Sequence, residues 1–402
     1  MTVNDPVSKL TKIYSVHIVA PPEKVWTKFG DLTKTTYDLN RGAYAMKLDP
    51  SDGRPVIAYG VNEVVEGTTT LKVAVSKWNG SAFALVGNEA FSERVATSID
   101  LAIDNSGKPY IAYLDYNENT QASVMAYSGG SWSYVGARGG GSGYRANTTP
   151  GIALGLTPGT TQNPVMITIG NVSADPFYRA PEFAYYNGSW NTGIGMPGRP
   201  AVSGSSYAAY RPKAVTFGDY VYFSTANNGT TNGYSLYKFR NGSVTTVLEG
   251  KFIDGGSSAT SIQDNSFAIA SDETIYYLSA DDVGGTWQLR VFTYKEGVDA
   301  APKQLGSTIN HVVTTSSSYT IALDKNDLPY IAFNKSNTER QLMVANFDME
   351  TRNWTDPIAI SGTDEIKTNP EKIYLEFDNN NIGYAAAIGN VAPYRIFVYK
   401  LE

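Results

Sequence analysis

The 402-residue chain contains no cysteine and only two histidines, His17 and His311. The first absence excludes a disulfide framework and thiol chemistry. The second rules against a His-based zinc centre and leaves little from which to build a Ser-His-Asp triad. No run approaches the roughly 18 apolar residues of a membrane-spanning helix, so no transmembrane segment is expected. No stretch sustains a 3.6-residue apolar period with caps at both ends, so helices are not expected either. Charged residues are sparse, at 17%, and their formal net charge of −6 argues against nucleic acid as a partner. The first residues, Met1-Thr2-Val3-Asn4-Asp5-Pro6, lack the basic lead and apolar core of a signal peptide. A composition rich in Tyr, Asn, Gly, Ser and Thr is common in secreted bacterial β proteins. The expectation is therefore a secreted, periplasmic or cell-surface protein whose signal has been removed, with the cytoplasm as the alternative.

What is present is a phrase repeated seven times. It reads Val56-Ile57-Ala58-Tyr59, Tyr110-Ile111-Ala112-Tyr113, Val165-Met166-Ile167-Thr168, Val221-Tyr222-Phe223-Ser224, Ile275-Tyr276-Tyr277-Leu278, Tyr330-Ile331-Ala332-Phe333 and Gly383-Tyr384-Ala385-Ala386. The steps between first residues are 54, 55, 56, 54, 55 and 53. A period this regular signals a repeat architecture. In the second copy the alternating run Thr97 to Asp104 precedes the turn Asn105-Ser106-Gly107-Lys108 and the strand Pro109 to Leu114. A polar loop follows, then the strand Ala122 to Tyr127, the turn Ser128-Gly129-Gly130 and the strand Ser131 to Gly136. The last turn recurs as Asn79-Gly80-Ser81, Asn187-Gly188-Ser189 and Asn241-Gly242-Ser243, and Asn-Gly between apolar runs is a strong hairpin signal.

Each unit is thus a four-stranded meander, which cannot bury both its faces alone. Seven stacked radially can. Over essentially its whole length the chain resembles a β-propeller, carried by repeat period and strand count rather than by WD40 or Kelch signatures. The expected fold is all-β, a seven-bladed propeller in one domain over residues 1–402. Its blades would span about 31–87, 88–136, 137–195, 196–248, 249–306, 307–361, and 362–402 together with 12–30. The C-terminal copy supplies only three strands, so Lys24 to Gly30 is expected to close the last blade as its fourth. The run Ile13 to Ala20 also reads as a strand, without an assigned place.

In a propeller, connections between strands two and three and between successive blades emerge on one face, and the other two kinds on the opposite face. Here the first set is long and the second short. Long loops on a rigid scaffold are where binding groups sit. Nine of the 13 arginines fall in those loops. Several follow a tyrosine: Tyr144-Arg145, Tyr178-Arg179, Tyr210-Arg211 and Tyr394-Arg395, with Arg94 and Arg340 nearby. The Arg fork matches carboxylate, sulfate or phosphate, and Tyr offers a stacking surface. These residues are the expected ligand-binding set, and the ligand a glycan or protein carrying negative charge. The structural alternative is that the loop arginines pair with the acids of the same loops, among them Glu93 and Asp115.

Asp282-Val283-Gly284-Gly285-Thr286-Trp287 resembles a sialidase Asp box with Ala280 in the serine position, and Tyr178-Arg179-Ala180-Pro181 resembles the Arg motif of the same enzymes. Both are displaced from their usual places in that fold. Some propeller polysaccharide lyases use a His base, which would make His311 the candidate catalytic residue. The Asp-rich turns starting at Asp49, Asp324 and Asp378 carry Gly60, Lys335 and Gly389 where a calcium loop needs its twelfth-position acid, so they read as hairpin turns. No cofactor and no metal are expected, and the protein is expected to be a monomer. The leading functional reading is a non-catalytic binder. The alternative is a carbohydrate-active enzyme, lyase or glycosidase, on acidic sugars. A structural or adhesion module is the third class.

Overall fold

The structure, a computed structural model, describes residues 2–4, 11–13, 24–33, 37–141, 151–171, 179–194, 208–228, 233–248, 266–283, 286–309, 318–335, 340–363, 365–366, 372–389 and 392–402. It is a seven-bladed β-propeller of antiparallel four-stranded sheets. In the first blade the strands run Asp38–Leu48, Pro55–Val65, Thr68–Trp78 and Phe83–Leu85 from the axis outwards. The second has Val95–Ile103, Pro109–Asp115, Gln121–Ser128 and Ser131–Tyr134. The first strands of blades three to seven are Ile152–Leu156, Ala208–Phe217, Ser266–Ile269, Tyr319–Leu323 and Tyr374–Phe377. The repeated phrase falls on the second strand of every blade. In the second blade that strand is buried along its whole length, because neighbouring blades cover both of its faces.

Seven hydrophobic clusters hold the molecule together, and each spans two adjacent blades. An open array of seven sheets would have six such interfaces. The seventh joins Tyr384, Ala386 and Val398 of the last blade to Tyr44, Met46 and Tyr59 of the first, so the array is a closed ring. In most blades the innermost strand turns large residues towards the preceding blade and small ones towards the following blade. Met46, Leu101, Leu154, Ile321 and Leu375 are of the first kind, and Ala45, Ala102, Ala153 and Ala322 of the second. The fourth blade reverses this, with Ala214 towards the third blade and Val215 and Phe217 towards the fifth. Large against small lets the wedge-shaped sheets interlock without voids.

Closure uses the strand Trp26–Leu32, which pairs antiparallel with Ile396–Leu401 from Trp26↔Leu401 to Leu32↔Ile396. Val25 and Glu402 add two backbone hydrogen bonds, at 2.8 and 3.0 Å. The expected closing strand is therefore present, two residues further along than the sequence suggested. Of the run Ile13 to Ala20, only Ile13 lies within the described residues, in a short hairpin of Thr2–Asn4 with Thr11–Ile13.

A second device recurs on the outer strands. The indole Nε1 of Trp132 donates to Val86 O at 2.8 Å, that of Trp190 to Val135 O at 2.7 Å, and that of Trp354 to Leu305 O at 3.0 Å. The next residue is Gly87, Gly136 or Gly306, each at positive φ. A Cβ on Gly136 would lie 2.9 Å from the Trp190 ring, so glycine here serves both backbone and contact.

The inner turns are self-capped. Asp324 accepts the amides of Asn326 and Leu328, and Asp378 those of Asn380 and Ile382, at 2.8–3.0 Å. Asp49 accepts Ser51 N at 2.8 Å and the Lys77 ammonium at 2.5 Å. These carboxylates are engaged in their own turns.

Two stretches that read as long loops in the sequence, Asn62 to Thr70 and Thr225 to Gly233, are wholly or partly strand. Residues 62–70 continue the strands Pro55–Val65 and Thr68–Trp78, joined by the two-residue turn Glu66-Gly67 with φ of 50° and 76°. Positive φ at both central positions gives the tight hairpin twist that matches its strands. Residues 225–228 likewise continue the strand Tyr220–Asn228, with Asn227 opposite Gly233.

Candidate functional site

The innermost strand of each blade is a sheet edge, and its unpaired amides face the axis of the ring. A polar side chain on one blade can satisfy an edge amide on the next. Asp100 Oδ2 accepts Leu154 N at 2.8 Å, Glu376 Oε2 accepts Leu48 N at 2.8 Å, and Ser266 Oγ accepts Ile321 N at 3.1 Å. All three occupy the small-residue positions of the alternation. They line a central cavity of about 300 Å³.

The other polar groups of the cavity are Lys47, Lys213, Lys372, Thr320 and Tyr374. Lys47 Nζ meets Glu376 Oε1 at 2.5 Å. Burial works against charge on Lys47, but Glu376, with a contribution from Asp100, outweighs it and holds the ammonium above its ordinary pKa. Lys372 Nζ donates to Ile99 O at 3.4 Å. Tyr374 OH donates to Tyr44 O at 2.8 Å, and Tyr44 OH donates in turn to Lys372 O. Those bonds fix the segment that carries Lys372, just before the strand Tyr374–Phe377. Lys213 follows a register shift between Tyr210 and Lys213 in the fourth blade. Among the described residues the cavity thus holds three lysines against two carboxylates, and both carboxylates already accept edge amides.

Three of the arginines expected to bind ligand, Arg94, Arg340 and Arg395, are described away from this cavity. The Arg94 guanidinium lies 3.8 Å from the centroid of the Tyr116 ring. Arg395 pairs with Asp31 at 3.2 Å, and Tyr394 packs against the cluster between the last and first blades. Arg340 sits at φ 47° and its carbonyl accepts Ile366 N at 3.0 Å. None of these four lines the central cavity. Arg138, another loop arginine, binds Asp115 through two hydrogen bonds of 2.7 and 2.9 Å. Asp115 is fully buried and also accepts Asn117 N and Ser123 Oγ, so this arginine is structural. Tyr144, Arg145, Tyr178 and His311 lie outside the described residues. For Arg179, Tyr210 and Arg211 the backbone is described: Arg179 bridges in parallel to Ala208, which brings the start of one strand beside the residues leading to Tyr210 and Arg211. Among the described residues, no group of three or more His, Asp or Glu side chains is placed to hold a metal ion.

Sequence reasoning passed over Lys47, Asp100, Lys213, Lys372 and Glu376. A signal existed for two of them: Asp100 and Glu376 take positions where other blades carry Ala or Gly within the same alternation.

No protein-family model matches the chain, and no curated protein matches it. Solved structures do. The polysaccharide lyase Uly1 is similar with a TM-score of 0.54 and 10% identity, over 89% of this chain and 89% of that one. AofleA from Arthrobotrys oligospora gives 0.50 and 14%, over 85% and 91%. The BP39L lectin from Burkholderia pseudomallei gives 0.50 and 11%, over 89% and 98%. At these identities the likeness is one of fold, and the fold is that of the β-propeller.

Proposed function

We propose that the chain binds a glycan bearing a carboxylate or sulfate, without turning it over, at the central cavity and the long-connection face around it. The observation that carries this is the charge of the cavity: Lys47, Lys213 and Lys372 against Asp100 and Glu376 in a protein of net charge −6. Charge-assisted hydrogen bonds from Lys213 and Lys372 would hold the anionic group, with the Ser266 and Thr320 hydroxyls beside it. A cavity of about 300 Å³ is at the lower limit for ligand pockets, which suits a sugar residue or chain end rather than an internal stretch. The engagement of Asp100 and Glu376 with edge amides favours binding over acid–base work on the ligand. Two similarly folded proteins are named as a lectin and a polysaccharide lyase, which fits a glycan ligand.

Arg94, Arg145, Arg179, Arg211, Arg340 and Arg395, read from the sequence as lying in the long connections, would with their neighbouring tyrosines contact more distant parts of the ligand. The protein would act as a single domain and a monomer outside the cytoplasm, where such glycans are displayed. The test is a glycan array carrying uronate, sialyl, sulfated and neutral oligosaccharides. Wild-type protein should label acidic spots, and the Lys213→Ala/Lys372→Ala variant should not. Labelling of no acidic spot, or equal labelling by both proteins, would sink the proposal.

A further inference from the structure

On the opposite face, between the third and fourth blades, four short turns converge on a second pocket of about 420 Å³. The turn 157–163 and Asn187 come from the third blade, and Asp219 and Asn241-Gly242 from the fourth. None of these residues belongs to the central cavity. Tyr185, Tyr186 and Phe239 provide flat apolar walls. Gly242, at φ 80°, makes room for the phenol of Tyr185: a Cβ there would stand 2.9 Å from its hydroxyl oxygen. Tyr186 is braced edge-on by Trp190, with ring centroids 5.5 Å apart.

At the rim Arg240 pairs with Asp219 at 2.8 Å and donates to Tyr220 OH at 3.4 Å. The two side chains of the ion pair are 48% and 67% exposed. A pair so well solvated contributes little to stability, and ligand groups can compete for it at small cost. Its charges cancel, and among the described residues no other charged side chain lines the pocket.

From this we infer a second ligand site, for a neutral sugar. Each sugar hydroxyl both donates and accepts a hydrogen bond, and the rim offers both partners: the donor fork of Arg240, the acceptor oxygens of Asp219, and the amides of Asn187 and Asn241. The ring's C–H face would lie on tyrosine, as aromatic-walled pockets with a few placed polar groups favour. Charge balance separates this site from the lysine-lined cavity, so the two faces select different sugars, and neither site depends on the other.

The probe is a set of methyl glycosides of neutral hexoses, followed by saturation-transfer NMR on the full chain. Transfer to the ring protons of at least one glycoside is expected. Arg240→Ala and Asp219→Asn, both at exposed positions that leave the core untouched, should each weaken binding about tenfold or more. Lys372→Ala should leave it unchanged. No transfer to any neutral glycoside, or transfer indifferent to both rim variants, overturns the inference while leaving acidic-glycan binding to its own test.

Discussion

Glu376 of the seventh blade and Lys47 of the first meet at 2.5 Å across the seam where the ring closes. Glu376 also accepts the Leu48 amide, so one carboxylate ties the two ends of the array together at the axis. Glu376→Gln would keep the acceptor for that amide and lose the ion pair. Because Lys47 is 37% exposed, solvent screening keeps the loss to about 1 kcal/mol. The pKa of Lys47 is raised in the folded state, so its increment is fully present below about pH 10.5 and fades as pH rises through the folded value. Urea titrations at pH 8 and pH 11 should show a difference between wild type and Glu376→Gln at the lower pH that shrinks at the higher. A constant difference would contradict the assignment.

Acid should act through Asp49. Burial alone would raise its pKa, but hydrogen bonds from Lys77 and Ser51 outweigh burial and depress it. A depressed carboxylate stabilises the fold above its unfolded value, near 3.8, and loses that contribution as pH falls through the folded value. Asp49→Asn is expected to cost about 1–3 kcal/mol at neutral pH. Its Tm should approach that of wild type as pH falls through the folded value.

The outer latch predicts an unequal pair of variants. Trp190→Phe loses one hydrogen bond to Val135 O, about 1 kcal/mol. Gly136→Ala must hold a side chain at φ 74° and also displace the Trp190 ring, and should cost more, about 2 kcal/mol or above. Denaturant midpoints in that order support the latch, and the reverse order rejects it.

Ring closure makes residues near the N-terminus as important as any core position. Leu32 is 3% exposed in the cluster that joins the last blade to the first. Leu32→Ala should cost about 2–5 kcal/mol by urea unfolding. Thr27→Ala on the exposed side of the same strand should cost under about 0.5 kcal/mol. Equal losses would mean that the strand does not seal the ring.

The repeat was legible because it is written in consecutive residues: alternation, Asn-Gly turns and a near-constant period need no tertiary knowledge. The closing strand could be read for the same reason, since Trp26-Thr27-Lys28-Phe29-Gly30 repeats the Trp-to-Gly spacing of Trp132 to Gly136. The cavity was not. Asp100 looks like the wet half of an ordinary half-buried strand, and its partner, the Leu154 amide, belongs to the next blade. The hairpin through Glu66-Gly67 resembled a loop because Thr68-Thr69-Thr70 is polar, although it extends a regular ladder. The partners of the loop arginines are likewise not read from the sequence alone: Arg94 stacks on Tyr116, and Arg138 binds Asp115.

In calorimetric titrations of a hexuronate oligosaccharide, wild type should bind, Lys372→Ala should lose about tenfold or more in affinity, and Glu376→Gln, with its competing carboxylate neutralised, should gain. Affinity that is absent in wild type, or unmoved by either change, would contradict glycan binding at this cavity.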